Sequence, residues 1–405
     1  MFQTNILNNG LKLIHQRTTS KAAWCGLIIG AGSRDANPLN KGIAHFIEHL
    51  IFKGTTKRKA YHILNRIEGV GGELNAYTTK EDTCIYASFL PQYYSRTLEL
   101  FADVIFNSTF PLKEIEKEKE VVIDEINSYK DSPGEQIFDD FETLLYPNNP
   151  FGYNILGDEE SVRNLTQKDI FDFVQKYYQP SNMVISSVGD IEFKDLIAMV
   201  EKYFSAFAST SQPLLRTKPD IYLPQKRIVD MDNFQAHCIL GNIAYTENDE
   251  RRIGLAMLVN ILGGFGMNSR LNLNIREKYG LTYNIEASYN TYSDTGVFNI
   301  YFGLDADNVD RCISLCHKEM QKLIDKPLTL RQLGAAKKQM LGQLILSSEN
   351  YEAIMLANGK SFLVYGKVDD TETICRDIQK LEADYLQQIA SDVFKVSNLS
   401  TLVFE

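Results

Sequence analysis

The spacing of hydrophobic and polar residues predicts a chain built from both strands and helices. Residues 2–15, FQTNILNNGLKLIH, form two short alternating runs around an Asn-Asn-Gly turn, which is typical of a β-hairpin. Strands are also predicted at 22–30, 72–79, 83–90 and 182–190, and helices at 41–55, 60–70, from 91 to about 130, and at 192–206. These elements together indicate an α+β fold.

The same order of elements returns in the second half of the chain. Strands are predicted at 237–245, 281–289 and 296–304, with helices between and after them. The segment LTQKDIFDFVQKYYQPSNMVISSV from Leu165 aligns without gaps with LEADYLQQIASDVFKVSNLSTLVF from Leu381, and each predicts a helix followed by a strand. We therefore predict an internal duplication.

Two homologous domains follow from this repeat, each a mainly antiparallel sheet packed with helices. Their predicted bounds are residues 1–206 and 225–405. Residues 207–224 between them are rich in Ser, Thr and Pro and carry little periodicity, so they are predicted to be a linker.

Composition and charge narrow the possible partners of the chain. The net charge of −10 over 405 residues disfavours nucleic acid, which binds to clustered basic residues. The six cysteines include no Cys-x-x-Cys pair, and we expect them to be reduced thiols. No leader peptide and no apolar run long enough for a membrane span is visible, so we expect a cytoplasmic protein with no membrane partner.

Candidate chemistry is concentrated in the segment KGIAHFIEHLIFKGT, residues 41–55. His45 and His49 are four residues apart, so on a helix they project side by side and can share one tetrahedral zinc ion. Glu48 borders the same face, where a carboxylate can act as a base beside the metal. The alternative is a buried helix with two hydrogen-bonded histidines, although unpaired polar groups there would be costly.

A third ligand is available in the predicted helix LKEIEKEKEVVIDEINSYK, residues 112–130. Glu118 and Glu125 are two turns apart and fall inside the apolar sector between Val121 and Val122. Two carboxylates that point inwards favour a bound cation. The alternative is that both flank the apolar stripe and reach water.

Three motifs together resemble the inverted-zincin peptidases, the family of pitrilysin, insulin-degrading enzyme and mitochondrial processing peptidase. They are the H-x-x-E-H run with its downstream glutamate, GGELNAYTTKEDTCIY, and GGFGMNSRLNLNIREKYGLTY in the second half. The chain is similar in length to the two-domain processing-peptidase branch, and a bacterial member is expected.

The resemblance implies a zinc endopeptidase with one Zn²⁺ per chain. His45, His49 and Glu125 would bind the metal, and Glu48 would activate a zinc-bound water as general base. Glu118 would orient a histidine from outside the ligand set.

Substrate contacts are implied by the same resemblance. Asn75 and Ala76 would bind an extended peptide along the strand ELNAYTT, and Arg276 and Tyr283 would hold its backbone and the oxyanion. In two-domain relatives the Arg/Tyr half usually comes from a second subunit, so we expect a homodimer. Short or unfolded peptides, cleaved in an enclosed chamber, are the expected substrates.

Two alternatives to an autonomous peptidase remain open at this point. The chain could be active only with an unlike partner subunit, or it could be a non-catalytic structural subunit of the same fold. A hydrolase of non-peptide bonds is a further alternative, because zinc chemistry does not name the scissile bond.

Overall fold

The structure is a computed structural model that describes residues 2–209, 216–219, 221–231 and 234–405. The chain forms two compact units. Unit 1 contains residues 1–127, 153–216 and 347–370, and unit 2 contains residues 128–152, 217–346 and 371–405. Residues 210–215 and 220 of the predicted linker lie outside the described residues.

The strands are β1 (Phe2–Ile6), β2 (Lys12–Arg17), β3 (Ala23–Ile29), β4 (Glu73–Thr78), β5 (Thr83–Phe89), β6 (Met183–Gly189), β7 (Lys226–Val229), β8 (Ala236–Ile243), β9 (Thr282–Thr291), β10 (Gly296–Leu304) and β11 (Ser400–Phe404). The α-helices are α1 (Ile43–Leu50), α2 (Ala60–Leu64), α3 (Tyr94–Phe106), α4 (Leu112–Lys130), α5 (Pro133–Leu145), α6 (Glu159–Asn164), α7 (Gln167–Tyr177), α8 (Phe193–Phe204), α9 (Arg252–Gly263), α10 (Val309–Asp325), α11 (Leu330–Ser347), α12 (Tyr351–Tyr365), α13 (Thr371–Lys380) and α14 (Ala383–Val393).

The sheet of unit 1 has the strand order β1-β2-β6-β3-β5-β4. All of its pairs are antiparallel except β2 with β6. The central strands β3 and β6 are almost entirely buried, whereas every residue of the edge strand β4 is exposed or partly buried. Strands β1 and β4 are the two edges of this sheet, each paired on one side only.

The sheet of unit 2 has the order β7-β11-β8-β10-β9, and only β7 with β11 is parallel. Every residue of β10 is buried, which fits its central place between β8 and β9. The two mainly antiparallel sheets with packed helices confirm the predicted α+β fold. None of the helices in the described residues is long and apolar enough to span a membrane.

Each compact unit includes one helix from the other half of the sequence. Helix α12 packs on β2, β3 and β6 in unit 1, where the Ser186 hydroxyl donates a hydrogen bond to the carbonyl of Met355 at 2.6 Å. Helix α5 packs on β8 and β11 in unit 2. The units are thus not contiguous in sequence, whereas the predicted domains are two uninterrupted ranges.

The internal repeat is visible in the aligned segments. Helices α7 and α14 are both 11 residues long and begin two residues after Leu165 and Leu381, the first residues of the alignment. Each is followed by a short 3₁₀ turn and then by a strand, β6 or β11. The two aligned segments therefore have the same order of elements, as the predicted duplication requires.

The single helical run predicted from residue 91 to about 130 is wrong, because the structure contains two helices. Helix α3 ends at Phe106 and α4 begins at Leu112. Between them Phe110 has a positive φ of 43° and precedes Pro111. A residue before proline is disfavoured in the helical region, so the chain turns here and α4 takes a new direction.

Candidate metal and catalytic site

Helix α1 carries both histidines and begins at a glycine that no other residue can easily replace. Gly42 has φ +80°, and a Cβ there would lie 2.3 Å from the carbonyl oxygen of Leu156. The helix is buried over most of its surface, including His45, which is 8% exposed. Close backbone approach at Gly42 therefore fixes the start of a buried helix, and with it the direction of its polar side chains.

Helix α4 brings the two glutamates to α1. Glu118 is buried, whereas the Glu125 side chain is 42% exposed. Glu118 belongs to the buried stripe with Ile115 and Val122, as the helical spacing predicts, although Val121 is 42% exposed. The two glutamates therefore occupy different environments on one face, one enclosed and one open to solvent.

His45, His49 and Glu125 each offer one ligand atom, and these atoms lie within 4.8 Å of one another. Glu125 Oε1 is 3.8 Å from His45 Nε2, and its Oε2 is 3.4 Å from His49 Nε2. A tetrahedral zinc with bonds of about 2.0–2.1 Å holds its ligand atoms roughly 3.3–3.4 Å apart. The geometry and the two-imidazole, one-carboxylate donor set therefore fit zinc, and no other such group of side chains occurs in the part of the chain that the structure describes.

The pKa shifts of His45 and Glu125 favour the forms of these side chains that bind a metal. Burial, together with the nearby His49, lowers the pKa of His45 to about 4, so its imidazole is neutral at physiological pH. The hydrogen bond with His49 lowers the pKa of Glu125 and favours its anionic form. Burial would lower the pKa of His49, but Glu125 and Glu118 outweigh it and raise the pKa. His49 therefore lies between two carboxylates, an environment that attracts a cation.

Glu118 contacts the far side of the His49 ring. Its Oε2 lies 3.4 Å from His49 Nδ1, and its Oε1 lies 2.7 Å from the ammonium of Lys53. Such a carboxylate holds the imidazole with Nε2 directed towards the metal position. His45 has no equivalent partner, because its Nδ1 is buried without a hydrogen bond to any described residue.

Glu48 lies next to the histidines and is held by one hydrogen bond from the edge strand. The hydroxyl of Thr78, the last residue of β4, donates to Glu48 Oε2 at 2.7 Å. Burial raises the pKa of Glu48, and the hydrogen bond from Thr78 partly opposes this effect. A carboxylate with a raised pKa in a shielded position can accept a proton and release it again.

The remaining predicted residues lie on two different strands and one turn. Asn75 is exposed and Ala76 partly buried on β4 of unit 1. Tyr283 is 90% exposed on β9, and Arg276 lies in a π-helical turn over Asn272–Glu277, both in unit 2. The Arg276 guanidinium is 3.6 Å from Glu277. The structure thus groups His45, Glu48, His49, Glu118 and Glu125 in unit 1, with Asn75 and Ala76 on the strand that contacts Glu48.

Sequence reasoning missed Lys53 and Thr78, which contact Glu118 and Glu48. Lys53 could have been noticed as a lysine four residues after His49 in an otherwise apolar run. Thr78 alternates with Ala76 along β4 and so lies on the same face of the strand.

Comparison with known proteins gives two family matches along the chain. Residues 12–159 match the sequence model described as insulinase, peptidase family M16, and residues 164–340 match that described as the peptidase M16 inactive domain. The first match contains the ligand cluster of His45, His49 and Glu125. The second covers the half in which the sequence has no histidine pair.

Similar proteins include the uncharacterized zinc protease YmxG of Bacillus subtilis, which is 33% identical over 97% of this chain and 96% of its own length. An uncharacterized zinc protease of Rickettsia felis is 30% identical over 99% of this chain and 97% of its own. Among solved structures, a protease from Helicobacter pylori has a TM-score of 0.91 at 22% identity and covers 100% of this chain and 99% of its own. A Pseudomonas fluorescens structure named peptidase M16 inactive domain has a TM-score of 0.93 at 21% identity, with 100% and 97% covered. The chain belongs to the M16, or insulinase, family of peptidases.

Proposed function

We propose that this protein is a zinc-dependent endopeptidase that cleaves short or unfolded peptides bound as an extended strand. The observation that carries the proposal is the cluster of His45, His49 and Glu125 with Glu48 beside it. The zinc protease names of the relatives support the same chemistry. When bound, zinc would lower the pKa of a coordinated water towards neutrality and polarise the scissile carbonyl.

The side chains of unit 1 would supply the proton transfers. Glu48 would take a proton from the attacking water and return it to the leaving amine, because partial burial raises the pKa of its carboxylate and makes it a better proton acceptor. Glu118 would keep Nδ1 of His49 engaged, so that Nε2 stays directed towards the metal.

Strand β4 would bind the substrate backbone. It is the edge strand of its sheet that contacts Glu48, and it is paired with β5 on one side only, so an extended peptide can add to its other side through main-chain hydrogen bonds. Asn75 and Ala76 lie on this strand. Strand addition requires an unfolded segment, which is why short or unfolded peptides are the proposed substrates.

The second subunit of a homodimer would contribute Arg276 and Tyr283. These two residues would hold the substrate backbone and the developing oxyanion. Support comes from the sequence, which carries both the metal half and the Arg/Tyr half, and from the exposure of Tyr283. The enclosed chamber and the cytoplasmic location stay predictions of the same proposal.

A comparison of wild type with Glu48→Gln tests the proposal. Both proteins, checked for bound zinc, are incubated with a library of unstructured peptides, and the products are read by mass spectrometry. Loss of the base should lower the cleavage rate by about 10²–10⁴-fold. Glu116→Gln, which changes a carboxylate on the exposed side of α4 that pairs with Lys119 at 2.9 Å, is the matched control and should cleave like wild type.

Two results would contradict the proposal. A zinc-loaded wild type that cuts no peptide when it is purified without any unlike subunit favours a partner-dependent or non-catalytic subunit. Cleavage by Glu48→Gln at the wild-type rate would remove Glu48 from the chemistry.

A further inference from the structure

A hydrogen bond links the proposed base to the strand that is proposed to bind substrate. The Thr78 hydroxyl donates a hydrogen bond to Glu48 Oε2 at 2.7 Å. Among the described residues, no other side chain donates a hydrogen bond to this carboxylate. We infer that Thr78 is a positioning residue, which sets the orientation of the Glu48 carboxylate relative to a peptide bound on β4. The inference rests on the proposed function and adds a residue to it.

The location of Thr78 is fixed by strand pairing. Thr78 pairs with Thr83, and Ala76 pairs with Ile85, in an uninterrupted antiparallel register. Alternation along the strand puts Leu74, Ala76 and Thr78 on one face. This face is directed towards α1, because the Thr78 hydroxyl reaches Glu48 on that helix.

A hydrogen bond to one oxygen of a carboxylate also restricts the position of its other oxygen. The last torsion of a glutamate side chain has a broad energy minimum, so a carboxylate without a partner can rotate. With Oε2 hydrogen-bonded to Thr78, rotation of the Glu48 carboxylate is restricted, and Oε1 keeps one position from which it can accept a proton. A misplacement of about 1 Å in a reacting group can slow a reaction about 10²-fold.

The same strand would hold both reactants. A peptide added to the free edge of β4 is positioned by the main chain of that strand, and Glu48 is positioned by the side chain at its end. The scissile bond and the base would therefore both be positioned by strand β4, which keeps their relative geometry constant.

The test replaces the hydroxyl and then restores it. Thr78→Val keeps the shape of the side chain but removes the donor, and we expect kcat to fall about 10–100-fold while KM changes less than about twofold. Thr78→Ser keeps the hydroxyl and should retain most of the wild-type kcat. Zinc affinity, measured by competition with a coloured chelator, should be the same in all three proteins, because the Thr78 hydroxyl donates to Glu48 and not to a proposed zinc ligand.

Thr83→Val is the matched control, since it removes a hydroxyl from the directly paired residue. The Thr83 hydroxyl donates to the carbonyl of Ala31 at 2.8 Å rather than to Glu48. This variant should lower the unfolding midpoint without lowering kcat. An equal fall of kcat in Thr83→Val and Thr78→Val would overturn the inference, because any lost hydrogen bond would then have the same effect.

A second readout needs no activity. The unfolding midpoint of metal-free protein is followed by the fluorescence of Trp24, the one tryptophan of the chain, in β3 of unit 1. The loss caused by Thr78→Val should shrink when Glu48→Ala is already present, because the acceptor is gone. If the losses in unfolding midpoint caused by Thr78→Val and Glu48→Ala were simply additive, the hydrogen bond between the two residues would make no contribution and the inference would be overturned.

The two proposals fail in different ways. An active wild type with an equally active Thr78→Val overturns the positioning role and leaves the peptidase proposal in place. A zinc-loaded wild type without peptidase activity overturns the proposed function, and the positioning role with it.

Discussion

Lys53→Met should destabilise unit 1 of the metal-free protein by about 2 kcal/mol. Methionine keeps the unbranched stem of lysine and removes the charge. In the structure the Lys53 ammonium is 2.7 Å from Glu118 Oε1, and the exposed fractions of the two side chains are 28% and 3%. The substitution therefore leaves a nearly inaccessible carboxylate without its cation.

The magnitude follows from the burial of the pair. Exposed ion pairs contribute about 0–1 kcal/mol, whereas removal of one partner of a fully buried pair costs about 3–5 kcal/mol. Glu118 is at the buried end of this range, but Lys53 is partly solvated and the other oxygen of Glu118 keeps its contact with His49 at 3.4 Å. A value near the middle, about 2 kcal/mol, is expected.

The assay is urea unfolding of chelator-treated protein, followed by the fluorescence of Trp24. Because the chain has this one tryptophan and it lies in unit 1, its signal reports the unfolding of that unit. Lys57→Met is the control: the Lys57 ammonium is 3.9 Å from Asp103, its side chain is 60% exposed, and Asp103 keeps Arg58 at 2.6 Å. We expect this control to change the free energy of unfolding by less than about 0.5 kcal/mol.

Equal losses for Lys53→Met and Lys57→Met would refute the reasoning, because the burial of Glu118 would then make no difference. A double-mutant cycle provides the second check. In a Glu118→Gln background the charge to be compensated is absent, so Lys53→Met should cost less than about 0.5 kcal/mol there. A full loss in that background would mean that Lys53 stabilises the unit by some other contact.

Three further predictions concern unit 1. Gly42→Ala should destabilise unit 1 by at least about 1 kcal/mol more than Gly71→Ala, as measured by urea unfolding of both variants. Both glycines have φ +80°, but of these two only Gly42 has a backbone oxygen 2.3 Å from the added Cβ. Burial lowers the pKa of His15 below its ordinary 6.5, so on acidification the unfolded chain binds a proton at a higher pH than the folded one. The free energy of unfolding should therefore fall as the pH drops below 6.5, and His15→Gln should make this fall less steep. Glu118→Gln should weaken zinc binding about 10–100-fold in a chelator competition, because it weakens the acceptor for His49 Nδ1; unchanged affinity would contradict its role.

The grouping of the metal-site side chains was predictable because helical periodicity encodes it. His45 and His49 are neighbours on any helix at this spacing, and Glu118 and Glu125 share a face of α4 for the same reason. The contact between α1 and α4 was not encoded locally. The resemblance to a known family supplied it, and the distances of 3.4–3.8 Å between the ligand atoms agree with it.

The packing of α5 and α12 could not be read from the sequence. Both helices look like ordinary connecting helices in their own halves, and periodicity tells which face is apolar but not which sheet will cover it. The break between α3 and α4 did carry a local sign, Pro111, which the strong helix formers on either side obscured.

Lys53 and Thr78 show why the ligands of such a site are easier to predict than the residues that support them. A ligand must be one of a few residue types at a narrow spacing, so its chemistry appears in the sequence itself. A supporting residue needs only a charge or a hydroxyl at the right place, and Lys53 and Thr78 satisfy this through Glu118 and Glu48, which are far from them in sequence. Common residue types in a long-range contact leave no pattern along the chain. Their effect should nevertheless be measurable, because Lys53 pairs with one oxygen of the buried Glu118 carboxylate and Thr78 donates to one oxygen of the partly buried Glu48 carboxylate.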